Sequence, residues 1–187
     1  MVLLGERDKN TQMIENAYFA SGCFWGAQRR FWQLRGVLDT SVGYMGGIRA
    51  NPSYEDVCTG VTGHAEMVHI SFDPDVISFG RLLEEFWVMH DPTTRNAQGN
   101  DIGSQYRSAI FTTSQVQLEA ALASRDSYQR ELTGAGYGEI VTEILPADGR
   151  TYWLAEEYHQ KYLAKNSNGY DCHSSTGVPY PKVGHER

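Results

Sequence analysis

The chain contains no apolar run approaching the roughly 18 residues that a membrane span requires, and its 41% apolar content suits a globular protein outside the bilayer. Basic residues are few: 16 against 23 acidic ones leave a formal net charge of -7. That balance provides no basic footprint for a phosphate backbone, so nucleic acid is not expected as a partner. There are only three cysteines, Cys23, Cys58 and Cys172, with no C-x-x-C pair among them. An odd, widely spaced set cannot make a fully paired secreted framework, which leaves redox chemistry or plain burial. Structural zinc modules need short paired ligand spacings, and a zinc site here would have to assemble from scattered residues such as Cys58, His64, Cys172 and His173, so no metal is expected. The glycines of Gly43-Tyr44-Met45-Gly46-Gly47 match neither the dinucleotide fingerprint nor a phosphate loop with its lysine, and no cofactor is expected. Met1-Val2-Leu3-Leu4 is too short for a secretory signal, and Glu6 and Asp8 argue against a transit peptide; the expected location is cytoplasmic.

What is present centres on Ser21-Gly22-Cys23-Phe24-Trp25-Gly26, a cysteine between two glycines where a strand turns into a helix. Ala17-Tyr18-Phe19-Ala20 ahead of it reads as a short buried strand, and Trp25, Gln28, Arg29, Phe31 and Trp32 begin a helix behind it. This places Cys23 in the first helical turn. Unpaired N–H groups and the positive end of the helix dipole favour an anionic sulfur there, drawing the thiol pKa from about 8.5 towards neutrality. The competing reading is a buried cysteine acting as a small hydrophobe.

Length allows one domain with a sizeable core. The pattern divides the chain into a flexible N-terminal segment over 1–15, a single catalytic domain over 16–165 and a mobile C-terminal tail over 166–187; a monomer is expected. A first helix is predicted from Phe24 to Leu34 and a strand from Val37 to Val42. A glycine-rich connection follows, in which Cys58 reads as a buried spectator. The strand Ala65 to Phe72 alternates so that Glu66 shares a face with Val68, Ile70 and Phe72. Burial of a carboxyl without a cation raises its pKa until it can donate a proton near neutral pH; the alternative is a strand-end glutamate turned to water.

Ser78 can cap a helix carrying Phe79, Leu82, Leu83, Phe86 and Trp87, ended at Asp91-Pro92 by a C-terminal His90. A polar segment over 93–105 precedes a strand from Arg107 to Thr112. Ser114 and Gln117 suggest a capping box for a long helix to about Leu132. Glu139 to Leu145 reads as a last strand and Trp153 to Lys165 as an amphipathic helix. The order predicts an α/β (α+β) fold, a mixed β-sheet with packed helices and a ferredoxin-like or split βαβ core, followed by a long coil tail. Cys172 sits in that tail, where a cysteine could reach a distant sulfur and leave again; the alternative is an incidental exposed thiol.

Three separated stretches, Gly22-Cys23-Phe24-Trp25-Gly26, Gly63-His64-Ala65-Glu66 and the segment from Gln98-Gly99-Asn100-Asp101 to Gln105-Tyr106-Arg107-Ser108-Ala109-Ile110, resemble the A class of peptide methionine sulfoxide reductases. Asn51-Pro52-Ser53-Tyr54 and His90-Asp91-Pro92 extend the resemblance, which runs from about Tyr18 to Tyr170 with its motifs in the same order. It implies Cys23 as nucleophile, Glu66 as proton donor, Tyr54 and Tyr106 as hydroxyls holding the sulfoxide oxygen and Asp101 as a polar residue of the pocket or just behind it. Phe24 and Trp25 would form the wall against the S-methyl group.

The implied activity is reduction of the S epimer of methionine sulfoxide, free or in proteins, as repair of oxidative damage. A Cys23 sulfenic acid would be resolved by Cys172 and the disulfide recycled by thioredoxin or a low-molecular-weight thiol. Many members of the family carry two cysteines in a glycine-rich tail, whereas Gly169 to Gly177 here holds only Cys172, so a single resolving step is expected. Two rivals predict different chemistry. A Cys-His-Asp hydrolase using Cys23 with His64 or His159 would form an acyl-enzyme, and a thiol module would pair Cys23 and Cys172 or bind metal without turnover.

Overall fold

Successive strands and helices leave the nucleophile segment at the end of a central strand. A computed structural model describes residues 13–171 and 174–181. The chain runs β1 (Glu15–Ser21), α1 (Phe24–Trp32), β2 (Val37–Met45), α2 (Tyr54–Cys58), β3 (Ala65–Phe72) and α3 (Phe79–Met89). It continues through a short hairpin of β4 (Ala97–Gln98) and β5 (Asp101–Ile102), then β6 (Ser108–Thr112), α4 (Gln115–Gly134), β7 (Glu143–Pro146), β8 (Trp153–Leu154) and α5 (Tyr162–Lys165). Six strands form one sheet in the order β7-β6-β1-β3-β2-β8.

Strand β3 is antiparallel to both β1 and β2, so β1 and β2 run parallel with β3 inserted between them and α1 as their crossover. Strands β3 and β6 likewise flank β1, with α3 as crossover. These two interleaved units are the expected split βαβ core. β7 extends it in parallel beside β6, and β8 adds an antiparallel edge to β2.

The amphipathic helices fill one side of the sheet. Phe19 on β1 meets Phe31 of α1 and Phe86 of α3, each at 5.2 Å between ring centroids. Ser78 caps α3 by accepting from Arg81 N–H, and Ser114 caps α4 by accepting from Gln117 N–H, each at 3.2 Å. The Gln117 side chain bonds Thr113 N–H rather than Ser114 N–H, so the cap is displaced by one residue from a true capping box. On the other side a smaller cluster holds Ala20, Met45, Met67 and Phe111, with Tyr18 and Tyr152 packed against it. Residues 174–181 form coil held by α4, whose Tyr128 Oη donates to Val178 O at 2.8 Å, and by the coil after it, whose Tyr137 Oη donates to Thr176 O at 2.9 Å. Among the described residues no helix is long and apolar enough to cross a membrane.

Several local expectations need correction. β2 continues to Met45, because Gly43, Tyr44 and Met45 pair with Met67, Glu66 and Ala65 of β3. The helix expected over Trp153 to Lys165 does not form as such. Trp153 and Leu154 pair with Tyr44 and Gly43 at the sheet edge, and Lys161 adopts a left-handed φ of 49° that leaves only α5 helical. Its aromatic spacing serves tertiary contacts on β2 and α1 instead of one helical face. The last strand shrinks to β7, and the polar segment after Pro92 contains the β4-β5 hairpin. Cys58 is exposed, since the single turn of α2 buries Val57.

Candidate active site

Leaving β1, the backbone passes through Gly22 at a φ of +93°, where a β-carbon would stand 2.7 Å from Cβ and Cγ of Gln98. Glycine is required there on both counts. Cys23 follows with φ -53° and ψ 122° as the N-cap residue of α1, one position before the first helical turn in which it was expected, and is 7% exposed. The next amide, Phe24 N–H, donates to Glu66 Oε2 at 3.0 Å. Glu66 projects from β3 and is buried. Burial pushes its carboxyl up to about 8; the Phe24 hydrogen bond pulls the other way, and the charge of Asp101 pushes it further up.

A cavity of about 190 Å³ is lined by Cys23, Phe24, Trp25, Tyr54, Glu66, Asp101 and Tyr106, with Tyr170 completing the wall. Five parts of the fold contribute: the start of α1, the start of α2, β3, the segment through β5 to the 3-10 turn Ser104–Tyr106, and the coil after α5 that carries Tyr170. Burial, and next the Cys58 hydrogen bond, raises the Tyr54 phenol above its ordinary range; burial and then the charge of Glu66 does so for Tyr106. Both therefore keep their protons and can donate. Asp101 accepts from Tyr170 Oη at 3.2 Å through Oδ1, while its Oδ2 is buried without a hydrogen-bond partner.

The aromatic wall is braced from behind. Trp25 stacks on Tyr162 at 3.8 Å and donates from Nε1 to His159 Nδ1 at 3.1 Å. The His159 ring in turn lies 5.3 Å from Phe24 and 4.7 Å from Tyr54. Two residues carry no local sequence signal for this site: Tyr170, which stands just before Asp171-Cys172, and His159, a candidate hydrolase base by sequence that fixes Trp25 instead. Cys172 lies outside the described residues, as does His173. Asp171 pairs with Arg29 of α1.

The hydrolase reading loses its geometry. Neither His64 nor His159 lines the cavity, and both His64 nitrogens are engaged, with Gly47 N at 3.0 Å and Arg49 O at 2.7 Å. Among the described residues no group of three or more His, Cys, Asp or Glu side chains is placed to hold a metal ion.

The family model for peptide methionine sulfoxide reductase matches residues 15–183. Peptide methionine sulfoxide reductase MsrA of Streptomyces griseus is 57% identical over 168 residues, covering 90% of this chain and 76% of that protein. Methionine sulfoxide reductase A of Corynebacterium diphtheriae superposes with a TM-score of 0.83 at 44% identity, over 92% of this chain and 85% of the other. Mxr1 from Saccharomyces cerevisiae in reduced form superposes with a TM-score of 0.79 at 35% identity, over 87% and 92%. With the fold, the cavity and the family match spanning the same residues, this chain belongs to the peptide methionine sulfoxide reductases of the A class.

Proposed function

We propose that this protein, a monomer in the cytoplasm, reduces methionine-S-sulfoxide, free or in proteins, to methionine at Cys23. The observation that carries the reading is Glu66. It is a carboxyl pushed up to about 8, bonded at 3.0 Å to the amide after the cysteine, in a cavity with two phenols that stay protonated. A sulfoxide oxygen leaves only when protonated, and that group of donors meets the need.

In the reduction step the Cys23 thiolate attacks the sulfoxide sulfur. The Glu66 proton passes to the oxygen, while Tyr54 and Tyr106 hydrogen-bond that oxygen as charge develops on it. Collapse transfers the hydroxyl to the Cys23 sulfur, so methionine leaves reduced and Cys23 is left as a sulfenic acid. Phe24 and Trp25 receive the S-methyl group. The unbonded Oδ2 of Asp101 can accept from an N–H of the substrate. Cys172 then attacks the sulfenic acid, releasing water and forming the Cys23–Cys172 disulfide. Thioredoxin or a similar thiol reductant restores both thiols by exchange.

The test is anaerobic single turnover of a methionine-S-sulfoxide peptide by reduced protein, counting methionine formed and thiols lost. The expected result is one methionine per thiol pair in the wild type, none in Cys23→Ser, and a sulfenic acid in Cys172→Ser. A folded, reduced wild type that makes no methionine would overturn the reading.

A further inference from the structure

One carboxylate outside the cavity reaches α2, which carries Tyr54 into the cavity, and β2, the strand paired with the β3 of Glu66. Glu156 follows β8, and each of its oxygens is engaged. Oε1 accepts from Tyr54 N–H at 2.8 Å, and Oε2 accepts from Tyr44 Oη at 2.8 Å. Tyr44 is fully buried on β2, directly opposite Glu66 in the β2-β3 register. Tyr54 opens α2, a five-residue helix also held by the Ser53-Asp56 capping box, the Arg49–Asp56 ion pair, burial of Val57 and the packing of Tyr54 on His159. So short a helix is not rigid by itself. The carboxylate supplies an acceptor for a first-turn amide that has none within the helix.

The segment carrying Glu156 is itself held to the sheet and to α1. Ala155 N–H donates to Val42 O at 3.0 Å, and the Gln160 side chain bridges both backbone groups of Val42 at 2.9 and 2.8 Å. Lys161 N–H donates to Gln28 Oε1 at 2.8 Å. His159, in the same segment, fixes Trp25. A firmly anchored strip of chain therefore extends one side chain to the backbone of Tyr54, a residue that lines the cavity.

We infer that Glu156 is a positioning residue of the reduction step, holding the backbone of Tyr54, and with it the Tyr54 hydroxyl, at the sulfoxide oxygen. The inference rests on the function proposed above. Glu156 does not line the cavity. Its carboxylate acts through Tyr54, with Tyr44 as the buried post that orients its second oxygen.

The experiment is single-turnover methionine formation by wild type, Glu156→Ala, Glu156→Gln, Tyr54→Phe and the Tyr54→Phe/Glu156→Ala double variant, at saturating and at limiting sulfoxide peptide. Glu156→Ala removes the bonds to Tyr54 N–H and Tyr44 Oη together, and loss of the one that acts on the cavity corresponds to about a tenfold slower rate at saturation, with half-saturation changed by less than about twofold. Glu156→Gln is expected near the wild-type rate, because its amide oxygen can accept from Tyr54 N–H while its NH₂ donates to Tyr44 Oη. In the Tyr54→Phe background Glu156→Ala is expected to cost no more than about twofold, since it acts through a hydroxyl already removed. A wild-type rate in Glu156→Ala, an equal loss in both backgrounds, or a Glu156→Gln as slow as the alanine variant overturns the positioning role and leaves the proposed function standing. A wild type that forms no methionine overturns the function and the inference with it.

Discussion

Phe24 N–H and Glu66 Oε2 stand 3.0 Å apart, which ties the acid of the cavity to the residue immediately after the nucleophile. The bond favours the ionised carboxylate, yet burial outweighs it and the group titrates at about 8. At neutral pH the proton is therefore present where a sulfoxide oxygen would need it.

The rate of methionine formation should fall above about pH 8, as Glu66 loses its proton. Asp101→Asn should move the break to lower pH, because the Asp101 charge is one of the causes holding the carboxyl up. Single-turnover rates between about pH 6 and 10 would show it. A break unmoved by Asp101→Asn counts against that coupling.

Stability carries the opposite side of the same shift. Glu66 binds its proton more tightly folded than unfolded, so its contribution is complete below its ordinary value of 4.5 and is lost as pH rises towards 8. Glu66→Gln does not titrate. Urea unfolding should find it gaining on the wild type by up to about 1.4 kcal/mol per pH unit across that window, while its reductase rate falls by about a hundredfold or more. Parallel stability curves for the two proteins would reject the assignment of this titration to Glu66.

Tyr54→Phe and Tyr106→Phe should each slow sulfoxide reduction by about tenfold to a hundredfold, with the larger loss when both are removed. Thermal unfolding of the single variants should change little, since each phenol only partly loses contact with solvent. Reduction at the wild-type rate by the double variant would leave the oxygen site elsewhere.

Trp25→Ala removes the ring that stacks on Tyr162 and is fixed by His159. A sulfur–aromatic contact contributes about 0.3–1.5 kcal/mol, so half-saturation by a blocked methionine sulfoxide should rise by roughly twofold to tenfold. Steady-state kinetics at varied substrate would measure it; an unchanged half-saturation would place the methyl group outside this wall.

Gly22→Ala should destabilise the fold by about 1–3 kcal/mol, through a left-handed backbone and a β-carbon pressed on Gln98. Denaturant midpoints give the number. Gln98→Ala should not rescue it fully, because the backbone strain and the contact with Cβ would remain.

The strand-turn-helix seat of Cys23 was readable because glycine punctuation and apolar spacing are local signals, and the observed β1 and α1 flank it closely. The face of Glu66 was readable because alternation along a strand determines it, and β3 has the predicted bounds. Tyr54, Tyr106 and Asp101 were legible only through motif resemblance, since nothing in local periodicity brings residues 54, 101 and 106 together. The helix expected after Trp153 failed for the same reason in reverse: a helical spacing of aromatics was satisfied by contacts with β2 and α1.

By itself, then, the sequence determined the residue types of the chemistry, the faces on which Cys23 and Glu66 sit, and the alternation of elements that permits a split βαβ sheet. The tertiary structure alone decided that Glu156 meets Tyr54 across 102 positions of sequence and that His159 meets Trp25 across 134. Propensity, capping and alternation act over a few residues and are written in order along the chain. Contacts at those separations exist only once the sheet has closed and its edge has taken up β8, where burial and hydrogen bonding across the fold override the local pattern.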